Sequence, residues 1–187
     1  NEWPTTAAPP SVYHAFLTSE SAIQTYRNLG MEVEKIKVAA NCSGGRALAQ
    51  SRPDASESYI YLGTSNTSSN GDPINTMAVF DNVAHEIGHV VVNNIFRSGG
   101  PRRAGAVHEA IADMLGTYAE SDFQGGTVDW VIGDDHYQTE RIVGRDLANP
   151  LFSCFDDFDS NNLDLTNHER GSPMGFWFQQ ITEGNSS

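Results

Sequence analysis

The stretch His85-Glu86-Ile87-Gly88-His89 decides how the rest of the chain is interpreted. On an α-helix the two histidines stand at positions i and i+4, so both side chains project from one face and can bind one metal ion. Glu86 lies between them and can reach a metal-bound water. Twenty residues after His89, Glu109 can supply a third ligand from a second helix. Three protein ligands with one open position are typical of a catalytic zinc. The pattern therefore predicts a zinc hydrolase and, within that class, a peptidase.

The sequence around the motif favours two packed helices. Residues 77–93 are mostly apolar and predict one long helix, and residues 104–120 predict a second. In the second helix Asp113 follows Glu109 at i+4, on the same face, where its carboxylate can accept the N–H of a zinc histidine. An HExxH match alone also arises by chance, on a helix with two surface histidines and a salt-bridging glutamate. The second helix favours the zinc site over that alternative.

Composition narrows the class of protein and its partners. The chain has 187 residues, 39% of them hydrophobic, which suits one globular domain or one lobe with a smaller partner lobe. Its formal net charge of −13 disfavours nucleic acid and anionic membranes as partners. No run of apolar residues is long enough for a membrane span. The start, Asn1-Glu2-Trp3-Pro4, shows no signal peptide, but a processed chain would look the same.

The remaining pattern predicts an α+β fold in two parts. Residues 13–29 have helical spacing, residues 31–38 alternate like a half-buried strand, and residues 58–63 predict another strand. Residues 125–167 indicate acidic loops, and residues 176–181 the start of a last helix. We therefore expect an N-terminal α/β part, residues 1–74, which contributes the edge strand of a cleft. Residues 75–187 form the helical, metal-binding part on which it packs.

Several segments resemble thermolysin-like zinc metallopeptidases. Residues 105–117, from Gly105-Ala106-Val107-His108-Glu109 to Leu115-Gly116-Thr117, are similar to the helix that carries the third ligand in that family. Residues 81–86, 129–135 and 145–150 also resemble family segments. The resemblance implies a thermolysin-like fold and a zinc-dependent endopeptidase that acts on peptide or protein substrates. Two alternatives stay open, namely a catalytically weak surface module that binds zinc and calcium, and a toxin or processing peptidase of narrow specificity.

The resemblance also implies individual roles. His85, His89 and Glu109 would bind zinc, and Glu86 would take a proton from the zinc-bound water and pass it to the leaving amine. Asp113 would orient one zinc histidine, with His85 the favoured one.

Two further catalytic roles follow from segments nearer the C-terminus. The stretch Asn167-His168-Glu169-Arg170-Gly171-Ser172 is similar to the family segment whose histidine stabilises the tetrahedral intermediate, so His168 would donate to the oxyanion. Its alternative is a surface histidine in a polar loop. Arg145 matches the family arginine that hydrogen-bonds the substrate carbonyl beside the cleft.

A second metal is predicted from acidic residues. Asp81 lies one turn before His85, and Glu120 lies at the end of the second helix. With Asp129 and Asp134 they match the calcium site of the family, and clustered carboxylates repel one another unless a hard cation separates them. The alternative is four solvated acids.

The chain departs from the family at several positions. Gly100 stands where the family has a tyrosine that helps to hold the oxyanion, and Leu163 where the histidine has an acidic partner. Asn82 and Gly144 replace aliphatic residues of the pocket for the residue after the scissile bond. We therefore expect a less strictly hydrophobic preference there than that of thermolysin.

The cysteines and the chain length bear on the compartment in which the protein works and on whether its cleft is complete. Cys42 and Cys154 allow one disulfide or two free buried thiols. Family catalytic chains are longer, so we expect either a compact version or a chain whose cleft a propeptide or a remaining segment completes. We expect a secreted protein.

Overall fold

A computed structural model describes residues 10–43, 47–51, 57–64, 78–96, 105–133, 145–154 and 165–184. In these ranges helices and strands are mixed, which agrees with the α+β class in its general form. The helices are α1 (Pro10–Asn28), α2 (Phe80–Ile95), α3 (Gly105–Phe123) and α4 (Asn167–Thr182), and the strands are β1 (Lys35–Ser43), β2 (Ala47–Ser51), β3 (Glu57–Thr64), β4 (Val131–Ile132) and β5 (Arg145–Asp146). In the described ranges, no helix has the length and apolar content that a membrane crossing requires.

The first three strands form one sheet in the order β1-β3-β2. β3 pairs in parallel with β1 and antiparallel with β2. Alternate side chains of a strand point to opposite faces, and Ile60 and Leu62 of β3 are fully buried while Tyr59 and Tyr61 lie on the other face, their ring centroids 6.4 Å apart. β3 confirms the strand predicted at residues 58–63, and β1 overlaps the one predicted at residues 31–38 only from Lys35 onward. No strand was predicted over β2.

One apolar core joins the N-terminal elements to the helices that carry the metal motif. Ala22 and Tyr26 of α1 pack with β3 and with Val83 and Ile87 of α2 in a single buried cluster. The Tyr26 hydroxyl donates to the carbonyl of Ala84, 2.9 Å away. Burial raises the pKa of Tyr26, so the phenol stays protonated and remains a donor. α1 is therefore fixed to the residue that precedes His85.

Glycines let α2 and α3 approach each other closely. A Cβ on Gly88 would lie 3.1 Å from the Cα of Ala112, and one on Gly116 would lie 3.3 Å from the backbone nitrogen of His85. Because larger side chains at these positions would push the helices apart, the glycines permit side chains of α2 and α3 to meet. Gly88 of the sequence motif is thus part of the packing.

α4 begins at Asn167, well before the start predicted at residue 176. Thr166 caps it in a capping box with Glu169, in which each side chain binds the backbone of the other residue. Pro173 has no N–H for the carbonyl of Glu169, but the hydroxyl of Ser172 lies 2.8 Å from that carbonyl and donates to it. The helix therefore continues through its proline.

Several predictions fall on residues outside the described ranges. Gly100, Asp134, Gly144 and Leu163 are among them. No disulfide joins Cys42 to Cys154, and the alternative of two buried thiols is wrong as well, because Cys42 is only partly buried and Cys154 is exposed.

Candidate metal centre

The two histidines of α2 and the glutamate of α3 converge on one point. The Oε2 of Glu109 lies 3.4 Å from the Nε2 of His85 and 3.1 Å from the Nε2 of His89. Neighbouring ligand atoms around a tetrahedral zinc with bonds of about 2.0–2.1 Å are about 3.3 Å apart. Within the described ranges this is the one group of three histidine, cysteine or acidic side chains with all ligand atoms within 4.8 Å. The three residues thus form a possible metal-binding triad.

The chemistry of the triad also fits a metal. The Oε2 of Glu109 is buried and makes no hydrogen bond, although buried polar atoms are nearly always satisfied. Burial would raise the pKa of Glu109, but the neighbouring imidazoles of His85 and His89 hold it well below its usual range. The carboxylate is therefore ionised, as a ligand must be. Two imidazoles and one carboxylate are a common donor set for zinc.

His85 is held from behind by a carboxylate. The Oδ1 of Asp113 lies 2.7 Å from the Nδ1 of His85, on the side of the ring opposite Glu109. Burial alone would lower the pKa of His85, but Asp113 raises it to about 9. Burial would raise the pKa of Asp113, whereas Arg145 and His85 lower it well below its usual range. The structure thus brings Asp113 to the histidine that the sequence analysis favoured.

Arg145 lies in β5 and contacts Asp113 in a two-pronged ion pair. Its Nε donates to Oδ2 at 2.9 Å and its Nη2 to Oδ1 at 2.6 Å. Burial would lower the pKa of Arg145, but Asp113 raises it, so the guanidinium stays charged. The arginine also lines a cavity of about 240 Å³ with His168 and Leu147. The ion pair with Asp113 was not predicted from the sequence. The contact of Arg145 with a substrate carbonyl stays a prediction.

The side chain of Glu86 projects from α2 toward the edge of the sheet. It is buried, and burial raises its pKa, while a hydrogen bond from the backbone of Ala49 acts in the opposite direction. Within the described ranges β2 pairs with β3 alone, so the edge of β2 near Ala49 faces Glu86. The open edge of β2 therefore adjoins Glu86. The edge strand of a cleft stays a prediction for the N-terminal part.

His168 lies beside the triad at the start of α4. Its Nδ1 is 3.2 Å from the Oε2 of Glu109, and its ring centroid is 5.9 Å from that of His85. Burial and the charge of Arg145 lower its pKa, so the imidazole is neutral near pH 7. A Cβ on Gly171 would lie 2.6 Å from the carbonyl of Ala106, which shows how closely α4 approaches α3. The helical position of His168 argues against a surface histidine in a polar loop.

The acids predicted to bind calcium are only partly described. Asp81 and Glu120 are both buried. Asp81 accepts backbone N–H groups from Asn82 at 2.6 Å and from Gly133, and Asp129 accepts the N–H of Val131 at 2.9 Å. These acids are not part of the metal-ligand group found among the described residues, and Asp134 lies outside them. Calcium therefore stays a prediction.

One residue of the site was assigned no role from the sequence. His108 precedes Glu109 on α3, and its ring centroid lies 6.1 Å from that of His89, with the two ring planes 21° apart. On its other side the ring centroid of Phe96 lies 5.9 Å away. The sequence signal that could have identified His108 is its position directly before the proposed ligand Glu109 on α3.

No protein-family model matches the chain, and no curated protein matches it. The family resemblance therefore stays a prediction, and function has to be argued from the geometry of the site.

Proposed function

We propose that the protein is a zinc-dependent endopeptidase with a thermolysin-like fold and mechanism. The observation that carries the proposal is the buried Glu109 oxygen, which lies at tetrahedral ligand spacing from the Nε2 atoms of His85 and His89. Three protein ligands leave a fourth position for water or substrate, as in catalytic zinc sites. Zinc bound there would polarise the substrate carbonyl and lower the pKa of a bound water.

Glu86 fits the part of the general base. Its pKa is raised by burial, so its carboxylate holds a proton more readily than an exposed glutamate does. Glu86 would take one proton from the attacking water as the water oxygen bonds to the carbonyl carbon. It would then give that proton to the amide nitrogen as the C–N bond breaks. The second proton of the water stays at first on the new carboxyl group and then passes to the amine. The products are one carboxylate and one ammonium group, and Glu86 ends in its starting state.

His168 supports the same chemistry as a donor. A neutral imidazole beside Glu109 can place an N–H toward the oxygen on which negative charge develops. We propose that His168 donates to this oxyanion. We also propose that Arg145 binds a carbonyl of the substrate while Asp113 keeps its guanidinium in place.

The edge of β2 supports a peptide as the substrate class. An extended peptide can add a strand to an open sheet edge through main-chain hydrogen bonds. The hydrogen bond from Ala49 to Glu86 shows that this edge lies next to the proposed base. A peptide paired with β2 would therefore present a backbone carbonyl near the triad.

We propose a stabilising calcium ion near the two buried acids. Asp81 and Glu120 are both buried. A Cβ on Gly116, one turn before Glu120, would lie 3.3 Å from the carbonyl of Asp81, so the two carboxylates belong to adjoining turns of α3 and α2, and calcium accepts several such oxygen ligands. Addition of calcium should raise the thermal midpoint of the wild-type protein, and Asp81→Asn should reduce that increase. Equal midpoints with and without calcium would contradict the calcium site but leave the zinc proposal intact. Many extracellular proteins are stabilised by weakly bound calcium. We therefore propose the calcium ion together with secretion of the protein.

Metal analysis with a cleavage assay tests the enzyme proposal. We expect about one zinc ion per chain and cleavage of a peptide library that a zinc chelator abolishes. Glu86→Gln should lower kcat/KM at least about 100-fold with zinc retained. Glu20→Gln, on the exposed side of α1, is the matched control and should behave as wild type.

The outcomes separate the alternatives. Unchanged activity in Glu86→Gln would contradict the mechanism. Zinc without any cleavage would favour the catalytically weak module. Cleavage of one protein but not of casein would favour a narrow-specificity peptidase.

A further inference from the structure

The two zinc histidines are held in different ways. His85 has Asp113 on its Nδ1, and Asp113 is itself fixed by Arg145. No comparable hydrogen bond to the Nδ1 of His89 is found among the described residues, and its polar contact is the proposed ligand Glu109. Zinc histidines usually depend on a partner that fixes the orientation of the ring. The contacts that can orient the ring of His89 from within the described ranges are therefore packing contacts.

The ring of His108 supplies such a contact. Phe96 is the residue that directly follows α2 and lies seven positions after His89, about two helical turns further along the same side. The His108 ring projects from α3 and lies 6.1 Å from the His89 ring and 5.9 Å from the Phe96 ring. These centroid distances are within the range of attractive aromatic pairs, and the 21° angle gives a nearly parallel stack with His89.

We propose that His108 is a positioning residue that orients the zinc ligand His89 by stacking on its ring. The inference rests on the proposed zinc site. It assigns His108 a role through His89 and not a contact with substrate. A stacked ring restricts rotation of the His89 imidazole about its last side-chain bond, which keeps the Nε2 aimed at the point where Glu109 also aims. The zinc site then has one ligand fixed by charge and one fixed by ring packing.

Three variants test the role of the ring. His108→Ala removes the stack, His108→Phe keeps an aromatic ring without nitrogen atoms, and His14→Ala removes an exposed histidine of α1 as a control. We expect the zinc dissociation constant to rise about 10–100-fold in His108→Ala, as for other partners of metal ligands. His108→Phe should stay within about threefold of wild type because the ring contact is kept. His14→Ala should not change it.

The measurements are zinc competition against a chromophoric chelator and the visible absorption bands of the cobalt-loaded protein. The cobalt bands report the geometry of the ligands, so a role in folding alone would not move them. Urea unfolding of the metal-free variants separates a change at the site from loss of structure.

Two results would overturn the inference. One is wild-type zinc affinity and unchanged cobalt bands in His108→Ala. The other is a His108→Phe variant as weak as His108→Ala, because a nitrogen atom and not the stack would then be responsible. If the wild-type chain itself failed to bind zinc, the proposed function would fail, and the inference would fall with it. The two failures can be told apart: without zinc binding by the wild type the proposed function fails, whereas the results for the His108 variants test only the role of the ring.

Discussion

The Nδ1 of His85 lies 2.7 Å from the Oδ1 of Asp113, and Arg145 binds the same carboxylate through two nitrogens. This row of three side chains crosses from α2 through α3 to β5. It ties the orientation of one proposed zinc ligand to a charge pair behind it. A change in Asp113 should therefore affect both the metal and the fold.

Replacing Asp113 by asparagine should weaken zinc binding about 10–100-fold, because His85 loses the charged partner that fixes its ring. The variant also leaves the half-buried guanidinium of Arg145 without its counter-charge, which should lower the free energy of unfolding by about 1–3 kcal/mol. Zinc competition and urea unfolding measure the two effects. Asp122→Asn is the matched control on the same helix, because it removes a charge from a side chain that accepts from Thr25 and not from His85. Wild-type zinc affinity in Asp113→Asn would contradict the assigned role.

The pKa of His85 predicts how zinc binding depends on pH. Burial would lower this pKa, but Asp113 raises it to about 9, above the value of about 6.5 in an unfolded chain. In the metal-free protein the contribution of His85 to stability is therefore complete below about pH 6.5 and is lost as the pH rises through about 9. Zinc needs the unprotonated Nε2, so binding at pH 7 should release a proton. Affinity should then rise about tenfold per pH unit toward pH 9.

Calorimetry in two buffers of different ionisation enthalpy counts the released protons. The same titration on Asp113→Asn should show a smaller pH dependence, since the group that raises the pKa of His85 is gone. An affinity that stays constant between pH 7 and pH 9 in the wild type would contradict the raised pKa.

The close approach of α2 and α3 predicts a cost for added side chains. Gly88→Ala places a Cβ 3.1 Å from the backbone of Ala112, which is tighter than ordinary packing. The helices must shift, and we expect a loss of about 1–3 kcal/mol in the free energy of unfolding. Urea unfolding measures it, with Tyr118→Ala on the exposed side of α3 as the control. A Gly88→Ala variant as stable as wild type would show that the helices have room to separate.

Much of the fold that carries the metal was predictable from local pattern. Both α2 and α3 begin and end within three residues of the predicted positions, because α2 is apolar and buried along most of its length and α3 packs against it. The i+4 spacing on α3 predicted that Asp113 lies on the face of Glu109, where it can accept from a zinc histidine, and the family resemblance favoured His85. The two-pronged ion pair of Asp113 with Arg145 was not predicted, because it joins residues 32 positions apart through tertiary packing.

Other elements were hidden by their local sequence. β2 (Ala47–Ser51) does not alternate apolar and polar residues, and it exists as a strand through its pairing with β3. The first turns of α4 contain Gly171 and Pro173, which indicate a loop when taken alone. The capping box of Thr166 and Glu169 is a sequence signal for the start of α4, and it outweighs the effect of this glycine and this proline.

The same capping box predicts an effect on catalysis that is separable from metal binding. The Oγ1 of Thr166 accepts the backbone N–H of Glu169 at 3.2 Å, and the Glu169 carboxylate accepts that of Thr166 at 2.7 Å. His168 lies between them, so the cap fixes its backbone. Thr166→Val removes the accepting oxygen and should lower the free energy of unfolding by about 1 kcal/mol. Because His168 is outside the triad, kcat should fall while zinc affinity stays unchanged. Thr166→Ser keeps the oxygen and should restore kcat. Equal kcat values in Thr166→Val and wild type, measured on the same peptide substrate, would show that His168 does not depend on the cap.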